Sequence, residues 1–192
     1  MTILMILAPY GAFAFLMLVT SAALSLFASS AICLAVIALD VARGRSIKIL
    51  GAGSALVFAG LGAYLVLVDP HLDGSAIRLA VDAGVFAVSL GSLLIRRPFT
   101  LQYAIEQVPA ETAAIPSFLR ANYVITGAWT AAAALMMAAN AATIYVPGFP
   151  LWSSLLIAFA ARNSAIYFTK WYPDYRKIKH TGAAAASAVH GC

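Results

Sequence analysis

Apolar residues in this chain come in long blocks. They fill roughly 3–18, 21–42, 46–68, 76–95, 121–146 and 151–169, and polar residues gather between them. An α-helix rises about 1.5 Å per residue, so a block of ~20 apolar residues crosses a ~30 Å hydrocarbon core. The pattern therefore predicts an all-α fold, a polytopic transmembrane helix bundle with five to six spans. The count turns on residues 3–18, which Pro9 and Gly11 interrupt. A full span there requires a very tight hairpin before Ser21. The alternative is a re-entrant segment whose backbone other helices must cover. Residues 1–171 read as a single transmembrane domain with a loop at about 96–120. Residues 172–192 read as a tail, with its small-residue stretch after His180 disordered.

Composition agrees with this reading. Hydrophobic residues make up 63% of the chain and charged residues 10%, against about 25% charged in soluble domains. The charge is also patterned. Arg43, Arg45 and Lys48 follow the second long block, Arg96, Arg97 and Arg120 border the long loop, and Lys170, Arg176, Lys177 and Lys179 follow the last block. These are ten of the twelve Lys and Arg residues. The gap Asp69–Gly74 is acidic, and Val146–Pro150 is uncharged. Basic loops stay in the cytoplasm, so the 43–48 and 96–120 loops and the C-terminus are expected there. Trp171, Tyr172 and Tyr175 at one surface, and Tyr145 and Trp152 at the other, suit headgroup-level anchors. The net charge of +5 is spread along membrane edges. It fits attraction to anionic lipid and not a nucleic-acid footprint.

Lipid supplies no hydrophobic drive for helix association, so membrane helices pack through small residues. Ala80, Gly84, Ala87 and Gly91 share one stripe at helical spacing. Gly53, Gly60 and Ala63 offer a similar one on the preceding block. The two are expected to face each other.

Charged groups inside a span are expensive and are functional candidates by default. Asp82 and Arg162, with Asn163 beside it, are such groups, and Asn140 is a weaker one. Helix rise puts Asp82 and Arg162 within ~6–8 Å of each other in height, so an ion pair between them is expected. Arg78, four residues before Asp82, is the competing partner, and snorkelling is the competing account of Arg162. His71, His180 and His190 fall in loop or tail, and Cys33 and Cys192 form no ligand motif. The expectation is no cofactor and no metal.

The 96–120 loop opens Arg96-Arg97-Pro98-Phe99 and continues through Tyr103 and Ile105. Its first turns read as amphipathic, with Phe99, Tyr103 and Ile105 toward lipid, or else as an ordered connector. Arg96, Arg97, Pro98, Phe99 and Tyr103 form a candidate interaction loop. A basic pair and proline closing a helix, then a re-entry of the form Phe118-Leu-Arg120-x-Asn122 with Trp129 and Asn140 following, resembles the intracellular septation protein A family. The resemblance covers about residues 5–170 as a layout. It implies a non-enzymatic protein of the bacterial inner membrane, linked to envelope synthesis and division. Its partners would be the lipid bilayer, other membrane proteins or a second copy. The residues alone leave open a small transporter or channel using Asp82 and Arg162, or an accessory subunit of a larger membrane complex.

Overall fold

The computed structural model describes the backbone of residues 3–190 and the side chains of residues 6–176. All regular structure among the described residues is helical: α1 (Ile3–Val19), α2 (Ala22–Ala42), α3 (Ile49–Leu67), α4 (Gly74–Leu94), α5 (Phe99–Ala104) with a 3-10 turn (Ile105–Gln107), α6 (Ala110–Ala113), α7 (Pro116–Tyr145) and α8 (Leu151–His190). Among the described residues, four helices are long and apolar enough to cross a membrane: α2, α3, α4 and α7. The chain is a multi-pass membrane protein. The expected range of five to six depends on α1 and α8. At 17 residues, α1 is shorter than those four, and α8 carries Arg162 and Asn163 in its apolar half.

The long helices form a serpentine in which α1 packs on α2, α2 on α3, α3 on α4, α4 on α7 and α7 on α8. Although short, α1 runs the height of the bundle. Ile6 at its start packs near Leu50 and Phe99 at the basic end. Met17 near its finish touches the start of α4 at Gly74. The hairpin into α2 is as tight as expected, because the Ser21 hydroxyl caps α2 by accepting from the Leu24 N–H at 3.4 Å.

The bundle buries hydroxyls beside its apolar core and turns large apolar side chains outward. Ser25 and Ser29 are completely buried, while Leu18 and Leu67 are 78% and 81% exposed. Large apolar faces turned outward suit lipid. The buried hydroxyls satisfy themselves on the preceding helical turn, as Ser29 does on the Ser25 carbonyl at 2.7 Å and Thr130 on the Thr126 carbonyl at 2.9 Å. Ser30 instead donates across to the Ala55 carbonyl of α3 at 3.1 Å.

The small-residue stripes meet as expected at two places. A Cβ on Gly53 would lie 2.6 Å from a Val88 methyl, and one on Gly84 would lie 2.6 Å from a Val57 methyl. The two contacts are reciprocal, each helix offering a glycine to the other's valine. Gly60 and Gly91, expected on the same stripes, have nothing within 4 Å of a built Cβ. Only part of each stripe is therefore contact surface.

At the basic end, α2 and α4 stop in the same way. The Arg45 N–H donates to the Asp40 carbonyl and the Arg97 N–H to the Ser92 carbonyl, both at 2.9 Å. The residue before each donor has a left-handed backbone, Gly44 at φ 70° and Arg96 at φ 58°. This is the Schellman closure, filled once by glycine and once by arginine. The helix of the last block runs through Pro173, and the stretch after His180, expected to be disordered, is helical backbone to His190. The side chains of Lys177, Lys179, His180, His190 and Cys192 lie outside the described residues. Within the described part, Trp171 stacks on Tyr175 at 4.9 Å and Phe168 on Tyr172 at 5.1 Å.

Candidate functional site

Two polar networks stand out. The first lies between α4, α7 and α8. Asn140, 5% exposed, donates through Nδ2 to Asp82 Oδ2 at 2.6 Å. Its Oδ1 accepts from the Ser154 hydroxyl at 2.8 Å, and Ser154 is 1% exposed. The Thr143 hydroxyl donates to the Asn140 carbonyl at 2.7 Å. One amide thus ties three helices together, using its donor toward α4 and its acceptor toward α8. The Asn140 amide gives the Asp82 carboxylate a neutral donor between the helices.

The expected ion pair between Asp82 and Arg162 does not form. Among the described residues, ion pairs occur only at the basic end. Arg162 is half-buried on α8, and its charge and that of Arg78 act on Asp82 without contact. The helical pair Arg78–Asp82 does not form either. The Arg78 guanidinium turns back toward the helix start and donates from Nη2 to the Ser75 hydroxyl at 3.1 Å. Its Nε is buried without a hydrogen-bond partner among the described residues. Asn163 does not join the cluster: it is exposed and donates to the Phe159 carbonyl one turn back at 2.8 Å. Asn140, the weaker candidate from sequence, is the hub. A pair of charges at matched height does not reveal that an amide lies between them.

The second network was not foreseen. Glu106, in the turn after α5, receives the Lys48 ammonium on Oε1 and faces Arg45 Nε at 3.8 Å from Oε2. Arg45 Nη1 lies 3.6 Å from Asp40 Oδ1. Lys48 is 3% exposed, and Nζ also donates to the Ser46 carbonyl at 2.8 Å and stands 5.9 Å from the Tyr103 ring centre. The Gln102 side chain accepts from the Ile49 N–H at 2.7 Å, capping α3 from outside. The long loop is thereby clamped to the first basic loop. A sequence signal existed: Glu106 is an acid in a loop expected on the same surface as Arg45 and Lys48.

The clamp reverses the expected orientation of α5. Phe99 and Tyr103 are 4% and 9% exposed and pack with Leu50, whereas Ile105 remains outside. The Phe99 N–H donates to the Ser92 hydroxyl at 3.2 Å, and the Thr100 hydroxyl meets Thr126 at 2.7 Å and the Asn122 carbonyl at 3.0 Å. These bonds to α4 and α7 pull the aromatic face into the bundle. Pro98 is buried, while Arg96 and Arg97 are exposed. Burial pushes the Tyr103 phenol well above its ordinary range, with nearby Tyr10 and Asp40 adding to the effect.

Beneath the clamp lies a cavity of about 20 Å³ lined by Tyr10, Cys33, Asp40, Lys48, Ser54 and Tyr103 among others, room for about one water. Tyr10 Oη and Ser54 Oγ share a hydrogen bond on its wall. Among the described residues, no three His, Cys, Asp or Glu side chains converge as a metal site. Comparison with protein-family models, curated proteins and solved structures found no match.

Proposed function

We infer that this is a non-enzymatic protein of the bacterial inner membrane, a scaffold or partner in envelope synthesis and division of the kind its resemblance to the intracellular septation protein A family implies. The observation that carries the reading is the clamp of Glu106 on Lys48 and Arg45. It holds the long loop as a fixed surface with Arg43, Arg96, Arg97 and Arg120 exposed around it. A fixed, positively charged surface is complementary to acidic partner segments. The residues that carry the resemblance also hold the fold in place. Asn122 and Asn140 are buried, and the Trp129 indole N–H donates to the Thr169 hydroxyl of α8 at 2.9 Å. The test is a deletion strain complemented with wild type or with Arg96→Glu/Arg97→Glu. The expected result is altered cell length and septum placement, restored by wild type and not by the variant. Full rescue by a variant that accumulates normally refutes the reading.

A second reading, a small transporter or channel, draws on the partnerless Arg78 Nε close to the Asp82 network. It predicts a solute-uptake defect in the same strain that Asp82→Asn fails to restore. Normal uptake with altered septation decides against it.

A further inference from the structure

The cavity beneath the clamp gathers polar side chains from four helices: Tyr10 of α1, Cys33 and Asp40 of α2, Ser54 of α3 and Tyr103 of α5, with Lys48 just before α3. Two of these side chains are buried and unmatched. Asp40 and Tyr103 are 3% and 9% exposed, and they are close enough for the carboxylate charge to act on the phenol. Neither side chain has a hydrogen bond among the described residues. The nearest partner of the Asp40 carboxylate is Arg45 Nη1 at 3.6 Å, too long for a hydrogen bond. Among the described residues, Arg78 Nε is the one side-chain polar atom that is both walled in by protein and without a partner. The Asp40 carboxylate and Tyr103 Oη therefore still border space that a water can reach, and the space they line is this cavity.

The neighbouring donors are already committed. An ammonium has three N–H groups, and those of Lys48 serve Glu106, the Ser46 carbonyl and the Ser46 hydroxyl. The Ser54 hydroxyl donates to the Leu50 carbonyl at 2.6 Å, so the bond between Tyr10 and Ser54 takes its proton from Tyr10. What remains open is an acceptor at Asp40, a donor at Tyr103 and an acceptor at Tyr10 Oη. The occupant must donate and accept at once.

We propose that this cavity is a binding site for a single water, which donates to the Asp40 carboxylate, accepts from the Tyr103 phenol and so fastens α5 to α2 beside the ionic clamp. The charged lining groups, Asp40 and Lys48, cancel. A cation would face the ammonium and an anion the carboxylate, so the site suits a neutral guest. An apolar guest would leave both buried groups unmet. A volume of about 20 Å³ takes one water and nothing larger. Tyr10 Oη is an acceptor for the second proton, which completes the three hydrogen bonds usual for a buried water. The long loop is then held twice, by charge through Glu106 and by neutral hydrogen bonds through Tyr103. This inference does not rest on the scaffold reading.

The test is hydroxyl-radical labelling of the full chain in lipid vesicles by X-ray radiolysis in heavy-oxygen water, read by mass spectrometry. A held water supplies radicals to a buried ring beside it. Tyr103 is therefore expected to label several-fold more than Phe58, which is 0% exposed. Heavy oxygen is expected to enter the Tyr103 product more slowly than that of Tyr145, which is 75% exposed. Tyr103→Phe keeps the ring and removes the donor, so it is expected to melt about 1–6 °C below wild type. A phenol without a partner predicts the opposite sign, because its removal relieves a stranded group. Labelling of Tyr103 no greater than that of Phe58, heavy-oxygen entry as fast as at Tyr145, or Tyr103→Phe melting at or above wild type would each overturn the proposal.

Discussion

The reciprocal glycine–valine contacts between α3 and α4 allow a quantitative test. Gly84→Ala adds one methyl whose carbon would lie 2.6 and 2.7 Å from the two Val57 methyls. Carbon atoms rest at about 3.5–4.0 Å, so roughly 1 Å must be found. Val57 is β-branched and has few rotamers on a helix, so its side chain gives little. The helices must separate instead, which also loosens the Val88–Gly53 contact in the same seam. Overpacking of this kind costs about 1–3 kcal/mol. Alanine's better helix propensity offsets about 1 kcal/mol of it. Gly91→Ala, on the same helix with nothing within 4 Å, receives the propensity gain alone. The difference between the two variants is therefore the steric term, about 1–3 kcal/mol. At roughly 2–4 °C per kcal/mol for a chain of this size, Gly84→Ala should melt about 2–12 °C below Gly91→Ala in detergent. Val57→Ala should rescue it, giving a favourable coupling in the double variant. If Gly84→Ala melts with or above Gly91→Ala, or the valine truncation rescues nothing, the seam is not a close contact.

Three further outcomes follow from the polar networks. Asn140→Leu should cost about 1–3 kcal/mol by stripping partners from Asp82 and Ser154; a double-mutant cycle in detergent should show stronger coupling of Asp82 to Asn140 than to Arg162, and the reverse order would restore the ion pair. Glu106→Gln should leave Lys48 buried without its counter-charge, destabilise by about 3 kcal/mol, and speed trypsin cleavage after Arg96 or Arg120; unchanged cleavage would show that the clamp does not hold the loop. The raised Tyr103 phenol means that above the ordinary tyrosine pKa of about 10 the folded protein holds a proton the unfolded chain has lost. That contribution is full below pH ~10 and falls as pH rises, so chemical denaturation from pH 9 to 11.5 should be less pH-dependent in Tyr103→Phe, and parallel slopes would contradict the burial of the ring.

The amino-acid sequence by itself determined the membrane class, the extents of α2, α3 and α4 to within a few residues, and the two unlike ends of the bundle. Those properties are local: the length of an apolar run, the proline after Arg97, the serine that caps α2, the sign of each loop. It also marked Gly53 and Gly84 correctly, because small residues at helical spacing share a face wherever the helix lies. Only the tertiary structure decided which part of each stripe is used, since Gly91 and Gly60 obey the same spacing and touch nothing. It placed Asn140 between Asp82 and Ser154, where height along helices had favoured Arg162. Height fixes one coordinate, whereas a hydrogen bond depends on rotation about the helix axis and on which helices are neighbours. The same reason underlies α5. Its aromatic face reads as lipid-facing from the pattern alone, but Glu106, 58 residues after Lys48 in the chain, meets that lysine and turns the face inward. Contacts between distant segments depend on packing that no local pattern encodes.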